Sequence, residues 1–276
     1  MTEALLLALS ASLAWGVADF VGPWQGRTLG ALRVMLWAQL GGIVLLAIVV
    51  AARGRGPHDW RVLWAVLAAL SGTLGLYAYY RGMVTGTMSV VAPIAGASAI
   101  VPVVFGIATG DRPRPVQLAG IACAIVGVAL ASREQQEEGR RVAAGAGLAL
   151  LAAIGFGFYF PPMHAAGAAD PWWSSFVFRL TAGVIVLAAV TVRRPPVRLG
   201  GRPLAIVLGV GCGDTLGNLL FAASAGHGIV SLTSVLASLY PIVTVALAAI
   251  VIGERIARVQ LAGVVLTLAG IGLISA

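Results

Sequence analysis

Lysine is absent from all 276 residues, so every one of the 18 basic side chains is an arginine. Without lysine there can be no P-loop, whose lysine reaches the nucleotide phosphates, and no Schiff-base chemistry. ATP-driven work within this chain is therefore not expected. Cysteine is scarce as well. Cys123 and Cys212 both lie inside apolar runs and read as small packing residues. With His58, His164 and His227 scattered, no metal-ligand spacing exists, and no cofactor is expected. The third shortage is charge. Only 10% of the residues are charged and 59% are apolar, whereas a soluble domain carries about 25% charged residues. A surface for water cannot be built from this composition, so apolar side chains must face lipid as well as each other. A formal charge of +8 would suggest nucleic acid in a soluble protein. Here the arginines sit mostly in short turns between apolar runs, the pattern of membrane topology and headgroup contact. The expected partner is the lipid bilayer, not nucleic acid.

What the chain has in abundance is apolar runs long enough to cross a bilayer, which takes about 20 residues each. They fall near 4–22, 31–52, 61–82, 86–109, 116–132, 143–163, 172–192, 203–224, 229–252 and 256–275. The first begins near Ala4 with no basic stretch before it, so it reads as a retained helix rather than a cleaved signal. Asp59 before the third run, and Asp170-Pro171 opening the seventh, are helix-start signals. Trp60, Trp172 and Trp173 read as interfacial belts. The most charged stretch, 133–141, lies near the middle of the chain and divides it into a first unit 1–132, a linker 133–142 and a second unit 143–276.

The two units repeat each other. Gln117-Leu118-Ala119-Gly120 recurs as Gln260-Leu261-Ala262-Gly263, and Gly110-Asp111-Arg112 as Gly253-Glu254-Arg255, both at a separation of 143. Thr73-Leu74-Gly75 matches Thr215-Leu216-Gly217 at 142, Trp15-Gly16 matches Phe156-Gly157 at 141, and Arg33 pairs with Arg179 at 146. Five spans per unit is an odd number, so the second unit must enter the membrane the opposite way. The expected fold is all-α and integral to the membrane: ten transmembrane helices in two inverted five-helix repeats, an architecture of transporters with a midplane site.

The order of these features resembles the drug/metabolite transporter superfamily, specifically its EamA-type members. The resemblance is carried by Trp15-Gly16, by Arg33 and Arg179, by Pro102 and Pro241, by the Gly253-Glu254-Arg255 turn and by the glycine-rich closing helix; it spans the whole chain. It departs in the first turn, which reads Gly110-Asp111-Arg112. It implies an exporter of amino acids, metabolites or drugs in the cell inner (plasma) membrane, with both termini cytoplasmic. It also implies a central cavity lined mainly by helices 1, 3, 4, 6, 8 and 9. The arginine count favours the opposite orientation: five arginines lie in turns on the side of the termini (Arg53, Arg55, Arg61, Arg112, Arg114). Eleven lie on the far side (Arg27, Arg81, Arg133, Arg140, Arg141, Arg193, Arg194, Arg198, Arg202, Arg255, Arg258).

An ionisable group at membrane depth costs roughly 2.5–3.5 kcal/mol on insertion scales, so each one asks for a reason. Of the acids, only Asp19 and Asp214 fall inside apolar runs. Asp19 lies near the far end of its run, before Pro23 and Trp24, where it reads either as an interfacial group or as part of a site. Asp214 is the midpoint of the eighth run, and Asn218 shares its face one turn on. That pair is either interhelical glue or the polar centre of a substrate site, where a carboxyl could hold a substrate amine or exchange a proton. The surrounding Gly209, Gly211, Gly213 and Gly217 would leave a ligand room at the backbone. Arg179, like Arg33, reads as scaffold or as a substrate contact. Pro93, Pro102, Pro161, Pro162 and Pro241 should interrupt the fourth, sixth and ninth runs. Trp15, Tyr77, Tyr159 and Tyr240 lie near these segments and are candidates to line a cavity. Small residues four apart in the fifth and tenth runs allow close helix contact, within the chain or in a homodimer. An enzyme would want paired acids or a nucleophile with a base at one depth, and Asp214 has no such neighbour in sequence. The expected partner is a small-molecule substrate with proton coupling open; the competing class is a channel or a non-transporting assembly partner.

Overall fold

In lipid an apolar run can satisfy its backbone only as a helix or a closed barrel, and the computed structural model is helical along these runs. It describes residues 2–86, 88–131, 139–253 and 258–275. In chain order the helices are α1 (Thr2–Leu29), α2 (Ala31–Arg53), α3 (Trp64–Thr85), α4 (Met88–Gly96), α5 (Ile100–Ala108) and α6 (Pro115–Ala131). They continue with α7 (Gly139–Ala169), α8 (Pro171–Arg193), α9 (Gly201–Ser224), α10 (Val230–Ala237), α11 (Tyr240–Leu247) and α12 (Arg258–Ser275). A 3₁₀ turn, Trp60–Leu63, leads into α3, and no strand occurs among the described residues. Among the described residues seven segments are long and apolar enough to cross a membrane, and Ile94–Ala108 and Pro115–Gly127 are shorter apolar helices. Most of the expected linker lies outside the described residues; of its remainder, 139–142 is already the first turn of α7.

The start signals are used as expected. Asp59 accepts the Arg61 amide at 2.9 Å, and Asp170 accepts the amides of Trp172 and Trp173 at 2.9 and 3.1 Å. Arg53, at the end of α2, reaches Asp170 at 3.3 Å and lies over the Trp172 ring. Trp172 is thereby held against the end of α2.

The prolines act unequally. The fourth segment is broken between α4 and α5 by a 3₁₀ turn, Ala97–Ala99, and the ninth between α10 and α11 at Ser238-Leu239. The expected break in the sixth segment does not occur: α7 runs through Pro161 and Pro162. Each proline forfeits one backbone bond, yet α7 continues as helix and packs along α3. Pro23 likewise fails to end α1, which continues to Leu29.

Helix packing repeats between the units. α1 packs on α9 as α7 packs on α3, and α1 meets α10 and α11 as α7 meets α4 and α5. The close contacts agree. A Cβ on Gly16 would meet Val243 and the Tyr240 carbonyl, while one on Gly157 would meet Val101 and the Ser98 carbonyl, pairs related by the repeat. The small-residue faces of α6 and α12 are spent on each other: a Cβ on Gly270 would lie 2.7 Å from the Gly120 carbonyl oxygen. The spacing that left a homodimer open is thus consumed within the chain.

Candidate functional site

Where the units meet, a cavity of about 50 Å³ lies between the helices. From the first unit α1 contributes Trp15 and Asp19, α2 contributes Gln39, and α3 contributes Gly72, Thr73 and Leu76. From the second, α7 contributes Phe156, Tyr159 and Phe160, α8 Phe178, α9 Asp214 and Asn218, and α11 Tyr240. One water needs about 10–15 Å³ measured this way, so the space holds a few waters. Sites for drug-sized ligands are several times larger, about 300–1,000 Å³.

The polar centre is built from three helices. Asp214 forms an ion pair with Arg179, whose other terminal nitrogen donates to the Gln39 side chain at 2.8 Å. Arg179 is 1% exposed and stands behind Asp214 rather than in the cavity wall. A buried guanidinium needs this partner, because removing one member of such a pair strands the other charge in a low-dielectric interior. Asn218 is fixed from both ends: its amide nitrogen donates to the Asp214 carbonyl at 2.7 Å, and its oxygen accepts from the Tyr159 hydroxyl at 2.7 Å. Trp15 packs edge-on against Tyr159 and Phe160, with ring centroids 5.9 and 6.3 Å away.

Several expectations change here. Arg33 and Arg179 are not structural counterparts. α2 and α8 are both 23 residues long and begin at 31 and 171, so their register is 140 and the counterpart of Arg179 is Gln39. The position equivalent to Arg179 by helix register is thus also its hydrogen-bond partner. Arg33 instead donates to the Pro196 carbonyl, beside a 2.8 Å bond from the Trp37 indole to the Val197 carbonyl, and so anchors the segment ahead of α9. Asp19 is not interfacial. Because α1 continues past Pro23, Asp19 lies within the helix, is 6% exposed and lines the cavity. Tyr77 does not line this cavity; it lies in a neighbouring cleft between α2, α3 and α8 that shares Thr73 with it. The glycines around Asp214 do not all leave ligand space. A Cβ on Gly217 would strike the Trp15 indole and one on Gly211 the Ala38 carbonyl, so these two serve close helix packing. The cavity wall includes α2 and α8 but no residue of the fourth segment among those described. Gln39 and Phe178 escaped the sequence reading; the signal that could have found Gln39 is the equal length of the two helices.

A model of the EamA-like transporter family matches residues 2–133 and again 143–276. A solved crystal structure superposes with a TM-score of 0.78 at 18% identity, over 99% of this chain and 96% of that one; at that identity the likeness is one of fold. In all, 29 solved chains match. No curated protein matches by sequence.

Proposed function

From the premise that the chain belongs to the EamA-like transporter family, as a multi-pass membrane protein, we propose that it is a secondary active transporter. It exports a small metabolite, amino acid or drug-like molecule by alternating access, driven by an ion gradient or by the substrate gradient alone. In this reading ten helices cross the plasma membrane as two inverted repeats, 1–132 and 143–276, joined by the linker 133–142. The observation that carries it is the cavity between the units, with the Asp214–Arg179–Gln39 group on one side and the rings of Trp15, Tyr159 and Phe160 around it. A site at the junction of two related halves can be exposed to either side by rocking one against the other. The test is counterflow in proteoliposomes of the purified protein. Saturable exchange of labelled for unlabelled solute supports a transporter; unsaturable flux would make it a channel, and no flux of any solute class an assembly partner.

A further inference from the structure

The cavity carries a charge that its walls leave unbalanced. Asp19 and Asp214 both line it, and no cationic side chain does among the described residues. Arg179 stands behind Asp214 with its terminal nitrogens engaged by Asp214 and Gln39. One guanidinium therefore answers one carboxylate. Asp19, 6% exposed, has no hydrogen-bond or ion-pair partner among the described residues. The titratable groups that face it are Asp214 from α9, Tyr79 and Tyr80 from α3 and Tyr240 from α11, none of them cationic. A buried carboxylate without a partner is among the most costly groups a membrane interior can hold, so its place against the cavity calls for a cation from outside the chain.

We propose that Asp19 is the counter-ion for the ammonium group of the transported molecule, and that the substrate class is a primary amine. This rests on the transporter reading and names its substrate. Three features of the wall agree. The rings of Trp15, Phe156 and Phe160 offer π faces, which attract cations and accept an apolar body. The hydroxyls of Thr73 and Tyr240 have no partner among the described residues, and stand free to bond the remaining polar atoms of the ligand. An anion would meet two carboxylates, with the guanidinium screened behind one of them. Asp214 thereby loses the exchangeable role expected from its depth, because its charge is already answered within the protein.

The test reads the melting temperature of the purified full-length protein in detergent. It is titrated with primary ammonium ions from methylammonium to phenethylammonium, each against its carboxylate isostere. Saturable stabilisation by one or more ammonium ions and none by the carboxylates is the expected result. Protonation of Asp19 competes with the ligand, so the apparent affinity falls as the pH is lowered. Asp19→Asn weakens it on the order of tenfold or more, the scale expected when one partner of a buried charge pair is removed, and Asp19→Glu retains most of it. Equal response to both members of the isostere pairs, or none to either, overturns the proposal without need of a folded variant. Stability that depends on pH through Asp19 without any ammonium response also overturns it, making Asp19 a proton carrier. Ammonium binding without counterflow would sink the transporter reading and leave the site; counterflow of an uncharged or anionic solute alone would do the reverse.

Discussion

At the scale of single residues, the ion pair Asp214–Arg179 joins α9 to α8 at the wall of the cavity. The depth of Asp214 and its shared face with Asn218 follow from helical spacing alone. Its partner does not, because α8 and α9 meet through tertiary packing and no local pattern joins 179 to 214. The repeat offered a counterpart at an offset of 146, and helix register moves it to 140. The pair decides the consequence of Asp214→Asn. A neutral isostere leaves Arg179 as a buried cation with only Gln39 beside it. Breaking a buried pair from one side costs about 3–5 kcal/mol, so Asp214→Asn and Arg179→Gln are each expected to lower the melting temperature and the folded yield. The double variant, which strands no charge, is expected to be more stable than either single one. A double-variant cycle by thermal unfolding checks this; additive losses would show that the two charges are not coupled.

At the scale of elements, the helices were legible because lipid leaves no other choice for an apolar run, and their ends because Asp59 and Asp170 sit at caps. The continuity of α7 was not legible. Pro161-Pro162 signals a break wherever water can solvate the freed carbonyls, and here the helix continues, packed on its neighbours. The same neighbours explain the glycines. A Cβ on Gly155 of α7 would lie 2.6 Å from the Gly75 Cα of α3, whereas one on Gly209 of α9 meets nothing within 4 Å. The first contact is backbone against backbone and has no side chain to yield. Gly155→Ala is therefore expected to destabilise the α3–α7 pair by about 1–3 kcal/mol, the range for overpacking. Gly209→Ala should be neutral, or stabilising by up to about 1 kcal/mol, because alanine is the better helix former. Melting temperatures of the two variants measured side by side decide the matter, and an equal response from both would show that the α3–α7 approach is looser than the geometry states.

At the scale of the whole molecule, the remaining question is which way the bundle faces, and the duplication bears on it. Over the whole chain the turns on the side away from the termini hold more arginines, eleven against five, which by count favours termini outside. The excess comes from one half. In the first unit the side of the termini holds Arg53, Arg55, Arg61, Arg112 and Arg114, while the far side holds Arg27, Arg81 and Arg133. The second unit adds Arg140, Arg141, Arg193, Arg194, Arg198, Arg202, Arg255 and Arg258, all to the far side. The segments that insert first usually set the orientation, and taken alone the first unit asks for termini inside. That agrees with the orientation the family resemblance implies, and it is the one we predict. Arg198 is exposed in the stretch between α8 and α9, so a cysteine placed there should be labelled by a membrane-impermeant thiol reagent in intact cells. Cys123 and Cys212 lie within helices and are only partly exposed, and they should add little background. Labelling at position 198 only after the cells are opened would place the arginine-rich side in the cytoplasm and show that the later unit, not the first, governs insertion.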